Sequence, residues 1–316
     1  MTRSLTMTRS IRIGTRMSTL ALTQSGHVAA SLRDHGVSVE LVPMLTPGDG
    51  TSTPLAGLSQ QGIFVSTVRD ALHDGTIDAA VHSFKDLPTA IEPGLFIAAV
   101  PPRVDARDTV ITTDGRPLAD LPQGARLGTC SARRSAWARR TRPELAVVSI
   151  RGNIDDRIAR THAGEFDGIV LAAAGVIRLG RAGVISEYLD VDDLPPAPAQ
   201  GALAIECRAH DAGVRRLLAA IDHRPSHLAA LTERLVLAAL DPAEASALGA
   251  FAQVKGGRLM LLADCSALDG CERITSRRSL PIDIDGDLAA QAHRLATAVI
   301  DDLARQGVGD LLAWAS

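Results

Sequence analysis

Ile77-Asp78-Ala79-Ala80-Val81-His82-Ser83-Phe84-Lys85-Asp86-Leu87-Pro88 is the stretch on which the reading of this chain turns. Its first five residues form an apolar run of strand length. Pro88 disfavours helical geometry in the residue before it, so the run ends in a loop. A buried strand thus delivers Lys85 and Asp86 to a loop at its C-terminal end, which is where open α/β sheets bind ligands. A carboxylate beside a cation can pass a proton or offset a developing positive charge. The competing reading is structural: Asp86 caps a helix that starts at Leu87-Pro88.

The neighbouring segments repeat the pattern. Residues 11–15 read as a first strand, and Ser18 caps a helix over residues 20–32 with apolar Leu20, Leu22, Val28 and Leu32. Arg16 and Ser18 therefore occupy a strand-to-helix turn, where backbone N–H groups and the helix dipole favour an anion. Residues 39–44 are a second strand. The polar stretch 46–62 is long for a connector, which marks a functional or mobile loop. A helix over 63–72 leads into the opening strand, and residues 95–100 form another.

Pro101-Pro102-Arg103-Val104-Asp105 crosses into a second α/β set. Its strands are expected at residues 108–111, 126–128, 146–150 and 168–172. Thr129-Cys130-Ser131-Ala132-Arg133-Arg134 opens a helix after the second of these. Arg151-Gly152-Asn153 ends the third, with Arg157 about a turn further on, and a helix carrying Arg178 follows the fourth. Any one of these arginines is an ordinary surface residue. Five at equivalent strand ends point to a pocket for several carboxylates, which Arg pairs with bidentately. Residues 194–201 cross back, and 202–206 return a strand to the first sheet. Two crossings between two α/β lobes give a hinged, cleft-forming architecture. From residue 225 the pattern changes to a helix over 226–240, strands near 250–254, 258–263 and 273–276, and a closing helix over 287–306. The expected domains are residues 10–102 with 202–222, residues 106–197, and residues 225–316, the last α+β.

The 316 residues are 46% hydrophobic and 22% charged, enough to bury several cores. No apolar run is long enough to span a bilayer, and the N-terminus lacks the apolar region of a signal peptide. A net charge of −3 disfavours a nucleic-acid partner. Cys130, Cys207, Cys265 and Cys271 have no CxxC spacing, which implies free thiols, a cytoplasmic protein and no metal site. Lys85 and Lys255 are the only lysines, so a lysine beside Asp86 is notable. A monomer is expected.

Arg12-Ile13-Gly14-Thr15-Arg16-Met17-Ser18-Thr19-Leu20-Ala21-Leu22, the motif His82 to Pro88, Gly128-Thr129-Cys130-Ser131-Ala132-Arg133-Arg134, Arg151-Gly152-Asn153 and Ala199-Gln200-Gly201-Ala202 together resemble the hydroxymethylbilane synthase, or porphobilinogen deaminase, family. The resemblance keeps order and spacing from about residue 11 to Arg234 and is loose beyond. It implies two α/β lobes of the type II periplasmic-binding-protein kind around a cleft, plus a smaller α+β domain. It implies that porphobilinogen units are condensed head to tail with loss of ammonia. Asp86 would be the catalytic acid, with Lys85 beside it, answering an azafulvenium-like cation. Arg16, Ser18, Arg133, Arg134, Arg151, Arg157 and Arg178, with Ser131 and Gln200, would hold the substrate's carboxylate side chains.

The family attaches a dipyrromethane primer to a cysteine in the third domain. Ungapped register from Thr232-Glu233-Arg234 to Gly249 places that position on Glu244. Cys265, 21 positions further on, is a poor substitute, and Cys130, near the arginines, shows no sign of activation; which of the two could replace the anchor stays open. Gly57 and Gln61 stand where the family carries lysines. No cofactor is therefore expected, and coupling of porphobilinogen or a related pyrrole would proceed without a covalent primer. The alternative is a two-lobed protein that binds a pyrrole or small polycarboxylate without turnover.

Overall fold

The computed structural model describes residues 10–44, 60–240 and 247–313. The chain divides into two compact units: residues 1–102 with 203–223, and residues 103–202 with 224–316. Gly57, the side chain of Gln61 and Glu244 lie outside what is described.

The first unit contains β1 (Ser10–Arg16), α1 (Thr19–Asp34), β2 (Ser38–Met44), α2 (Gln60–His73), β3 (Ala79–Ser83) and β4 (Leu95–Ala99). The chain then leaves through β5 (Asp108–Thr112), β6 (Arg126–Gly128), α3 (Ala132–Thr141), β7 (Ala146–Val148), α4 (Ile154–His162), β8 (Gly168–Ala172), α5 (Ala173–Arg178) and β9 (Glu187–Tyr188). It returns to the first unit with β10 (Leu203–Arg208) and α6 (Ala212–Leu218). The remainder is α7 (Arg224–Leu240), β11 (Ala247–Lys255), β12 (Arg258–Ser266), β13 (Arg273–Pro281), α8 (Leu288–Arg305) and α9 (Val308–Ala313).

The sheet of the first unit runs β2-β1-β3-β10-β4, and the five-stranded sheet of the second runs β7-β6-β8-β5-β9. These are one topology written twice. In each sheet the first strand of the local run lies between the second and third, parallel to both. The next position holds the strand that arrives from the other crossing, antiparallel to both neighbours. This is the type II periplasmic-binding-protein topology. The C-terminal ends of β1 and β3 share one sheet edge, and those of β6, β7 and β8 share another. Turns at such edges receive the loop residues that bind ligands.

Apolar alternation explains the strands. Ile11 and Ile13 of β1 are fully buried, and they pack with Val28 and Leu32 of α1 and with Ile205 of β10. The second five-stranded sheet builds cores on both faces, one around Val110, Leu127 and Trp137, the other around Ile111, Ile169 and Phe166. β11, β12 and β13 form an antiparallel meander covered by α7 and α8, with Leu261, Leu237 and Val299 in its core. Its attachment within the second unit is close. Ala250 N–H donates to Pro196 O at 2.9 Å, and a Cβ on Gly249 would lie 2.3 Å from Pro195 O. β13 continues to Pro281, five residues past the expected end, because its exposed Arg277 and Arg278 interrupt the apolar alternation without interrupting the ladder.

Candidate active site

In the first unit, β3 ends at Ser83 and a single 3-10 turn follows over Phe84–Asp86. Buried Phe84 and Leu87 anchor this turn on either side of Lys85 and Asp86. Leu87 has ψ 138°, the extended geometry that a following proline imposes, and no helix starts there. The capping reading of Asp86 is thereby excluded. Asp86 is half-buried and borders a cavity of about 270 Å³, together with Thr15 and Arg16 at the end of β1, Gln24 of α1, and His82 and Ser83 of β3. Val65 and Val68 of α2 supply an apolar wall. Ser18 plays the expected cap role: its hydroxyl accepts from Ala21 N–H at 3.3 Å.

Two features behind this cavity escape sequence reading. Gln24 donates from Nε2 to Ser83 Oγ at 3.0 Å and so ties α1 to the end of β3. Its signal is a polar residue at the head of the buried stripe 24–28–32, where helical spacing otherwise gives valine and leucine. Glu206 of β10 is buried, gripped by Arg69, and lies 3.4 Å from His82 Nε2. Burial opposes its ionisation, but His82 and Arg69 outweigh that and hold its carboxyl below the usual glutamate range.

In the second unit, Ser131 caps α3 by accepting from Arg134 N–H, and Asn153 caps α4 by accepting from Asp156 N–H at 2.9 Å. Arg133 and Arg134 follow the first cap. They are 5% and 8% exposed, and both converge on Asp108, which is wholly buried. Arg134 donates from Nε and Nη2 to Asp108 Oδ1, and Arg133 Nη2 lies 2.7 Å from Oδ2. Burial opposes a charged Asp108, yet the two arginines and Gln200 hold its carboxyl far below the ordinary range. Two guanidinium groups on one carboxylate leave a net positive charge.

Arg151 is exposed, and Arg157 is half-buried with its Nε donating to Gly152 O at 2.8 Å. Burial lowers the pKa of Arg157, and the like charges of Arg134 and Arg151 add to this, partly offset by Cys130. Ser131, Arg134, Arg151 and Arg157 are thus gathered at one sheet edge, with Cys130 among them. Arg178 donates to Gly201 O at 2.9 Å, and burial pulls its pKa down to about 10. Gln200 requires a correction. It was expected to bind substrate, but it is fully buried and its Nε2 donates to Ala106 O at 2.8 Å and Asp108 Oδ1 at 2.9 Å. Its amide is consumed inside the protein. Among the described residues, no group of three or more His, Cys, Asp or Glu side chains is placed to hold a metal ion, and no helix is long and apolar enough to cross a membrane.

Residues 11–216 match the family described as "Porphobilinogen deaminase, dipyromethane cofactor binding domain". The chain is 44% identical to the porphobilinogen deaminase of Cutibacterium acnes over 96% of each chain. It is 43% identical to that of Thermobifida fusca over 98% of each. The chain belongs to the porphobilinogen deaminase family. It is a porphobilinogen deaminase-like transferase, and the strand-end arginines and Asp86 are to be read in that setting. Among solved structures, a methionine-binding protein is similar over 66% of this chain and 88% of its own, with TM-score 0.42 and 13% identity.

The expectation of no cofactor is overturned by the same comparison. The matched domain is a dipyrromethane-binding one, and it spans residues 11–216. The expectation rested on Glu244, which lies outside that span, and on Gly57 and Gln61, which lie within it. The residues present suit the group. A dipyrromethane bearing carboxylates would need cations at fixed positions, and Arg151, Arg157 and the net charge of the Arg133–Arg134–Asp108 cluster are of the kind that would supply them.

Proposed function

We propose that this protein deaminates porphobilinogen and joins the pyrroles head to tail, with Asp86 as the catalytic group. The observation that carries this reading is Asp86 in a 3-10 turn at the C-terminal end of β3, half-buried beside a cavity that also takes in Arg16. The family membership gives the substrate class.

The chemistry follows from charge. Porphobilinogen carries an aminomethyl group, protonated in water, and two carboxylate side chains. Cleavage of its C–N bond releases ammonia and leaves a positive, azafulvenium-type centre. A second pyrrole then attacks through its α-carbon, and the hydrogen on that carbon leaves as a proton. The balance is one carbon–carbon bond formed, one carbon–nitrogen bond broken and one ammonium ion released. Asp86 as carboxylate offsets the positive centre and accepts the departing proton. Lys85, on the same turn, places a positive charge next to Asp86.

Arg16 and Ser18 at the start of α1, and Ser131, Arg151, Arg157 and Arg178 at the strand ends of the second unit, are proposed to hold carboxylates, with Arg133 and Arg134, already on Asp108, attracting them by their net charge. Arginine suits this role because its fork matches a carboxylate bidentately and stays charged even when burial lowers its pKa, as at Arg178. The dipyrromethane, when bound, supplies the pyrrole end from which the product is extended; Arg151 and Arg157 are its proposed holders. The division into residues 10–102 with 202–222, 106–197 and 225–316 belongs to the same proposal, and the three sheets with separate apolar cores support it. Incubation with porphobilinogen tests the reading: one ammonia per porphobilinogen consumed is expected, and tight binding without ammonia release would exclude it.

A further inference from the structure

The arginine pair of the second unit is held by a chain of buried contacts with no role in the reading above. Asp108, the first residue of β5, pairs with both guanidinium groups and is wholly inaccessible. The pair is also tied to the backbone: Arg133 Nη1 donates to Pro195 O at 2.9 Å, and Arg134 Nη1 to Val170 O at 3.0 Å. Behind Asp108 stands Gln200, whose Nε2 donates to the same Oδ1 that Arg134 uses. Gln200 is in turn fixed through its backbone. Its carbonyl accepts from Arg103 Nε at 2.7 Å, and its N–H donates to Ala197 O at 2.8 Å.

The residue before it, Ala199, has φ 63°, the one non-glycine residue with positive φ among those described. That geometry costs an alanine of the order of 1 kcal/mol, so something must hold it. Glu233 of α7, with no exposed surface, does so. Its Oε2 accepts Ala199 N–H at 2.6 Å, and its Oε1 accepts Ala252 N–H of β11 at 2.6 Å. Arg103 closes the set with bonds to both oxygens, at 2.6 and 3.0 Å. A continuous path thus runs from α7 and β11, through Glu233, Ala199 and Gln200, to Asp108 and the two arginines.

The chemistry of each member is specific. Two cations on one carboxylate keep one net positive charge, and the neutral amide of Gln200 steadies that carboxylate without cancelling the charge. A carboxylate at position 200 would cancel it. Held on Asp108 and on backbone carbonyls, Arg133 and Arg134 act as a fixed positive potential, which needs no reorganisation when an anion arrives.

We propose that Asp108 and Gln200 are positioning residues for carboxylate binding, and that Glu233 sets Gln200 through the left-handed turn at Ala199. The proposal rests on the reading that Arg133 and Arg134 attract substrate carboxylates. Steady-state kinetics with porphobilinogen test it, with Gln200→Met, Gln200→Glu and Arg134→Met compared with the unaltered protein. Gln200→Met keeps volume and loses the donor; a KM raised about tenfold at near-constant kcat is expected, from the strength of a hydrogen bond to a charged group. Gln200→Glu is expected to raise KM further, because it also cancels the charge. Damage to the fold alone lowers the active fraction, and with it kcat, at unchanged KM; that result would overturn the proposal. If Arg134→Met raises KM and neither Gln200 variant does, the positioning role is wrong and the reading of the arginines stands. If Arg134→Met leaves KM unchanged, the reading itself fails. Should Gln200→Met not fold, Gln200→Asn, which keeps the amide but is too short to reach Asp108, gives the same comparison.

Discussion

Arg69 grips Glu206 through two hydrogen bonds, Nε to Oε2 at 3.1 Å and Nη2 to Oε1 at 2.9 Å, on the face of the first sheet that carries the candidate cavity. The pair joins α2 to β10, and His82 of the cavity wall lies against the same carboxylate. Removing the Glu206 charge takes two bonds from Arg69 and leaves it, among the described residues, Glu92 alone, at 3.1 Å. Glu206→Gln is expected to cost about 3 kcal/mol at neutral pH, read by urea unfolding. The folded pKa of Glu206 lies below its ordinary value, so folding favours the ionised form. Its contribution is complete above the unfolded pKa, from about pH 5 upward, and is lost as pH falls through the folded pKa. The difference between the unaltered protein and Glu206→Gln is therefore expected to shrink on acidification. A difference that grows instead would contradict the pairing.

Gln24 reaches Ser83 across the floor of the cavity. Gln24→Leu removes that bond and puts an apolar group beside Arg16 and Asp86. A loss of about 1 kcal/mol in substrate affinity is expected, seen as a raised KM with little change in kcat. Unchanged KM would show that the cavity does not receive substrate.

Gly201 has φ 86°, and a Cβ there would lie 2.4 Å from the carbonyl oxygen of Val104. The obstacle is backbone, so it cannot swing aside. Gly201→Ala is expected to destabilise the protein by about 2 kcal/mol or more, measured by thermal or urea unfolding. The shift would also move the carbonyl that Arg178 holds. Stability equal to that of the unaltered protein would mean that the turn adapts.

Arg157 is proposed as a holder of the dipyrromethane. Arg157→Leu protein is expected to retain several-fold less of it after purification, measured as pyrrole colour with an aldehyde reagent per mole of protein. Arg294→Leu, at an exposed position of α8, serves as the control and is expected to retain it fully. Equal retention in both would remove Arg157 from that role.

Much of this was readable before any coordinates, because it depends on short stretches. Apolar runs ending in polar turns located the strands, and the turns at Arg16, Lys85-Asp86, Ser131 and Arg151 lie where parallel-strand ends were expected. The capping alternative for Asp86 was a local question too, removed by the extended ψ of Leu87. What was not legible is long-range. Gln200 looks like any polar residue in a loop; its burial is decided by Asp108, 92 positions earlier in the chain. Arg133 and Arg134 were expected to line a carboxylate pocket, and their convergence on buried Asp108 was hidden for the same reason. Glu206 sits in an apolar strand, and nothing near it in the sequence announces Arg69, 137 positions away. The mistaken expectation about the cofactor had a different origin: it weighed three positions, Gly57, Gln61 and Glu244, against a binding domain spread over residues 11–216.

The most direct test of the assignment of Asp86 is the rate of ammonia release from porphobilinogen by Asp86→Asn protein, with substrate binding measured in parallel by calorimetry. Asparagine keeps the shape of the side chain and removes its charge and its proton chemistry. Release is expected to fall about 100-fold or more, with binding essentially retained. Ammonia release at the unaltered rate by Asp86→Asn protein would contradict the assignment.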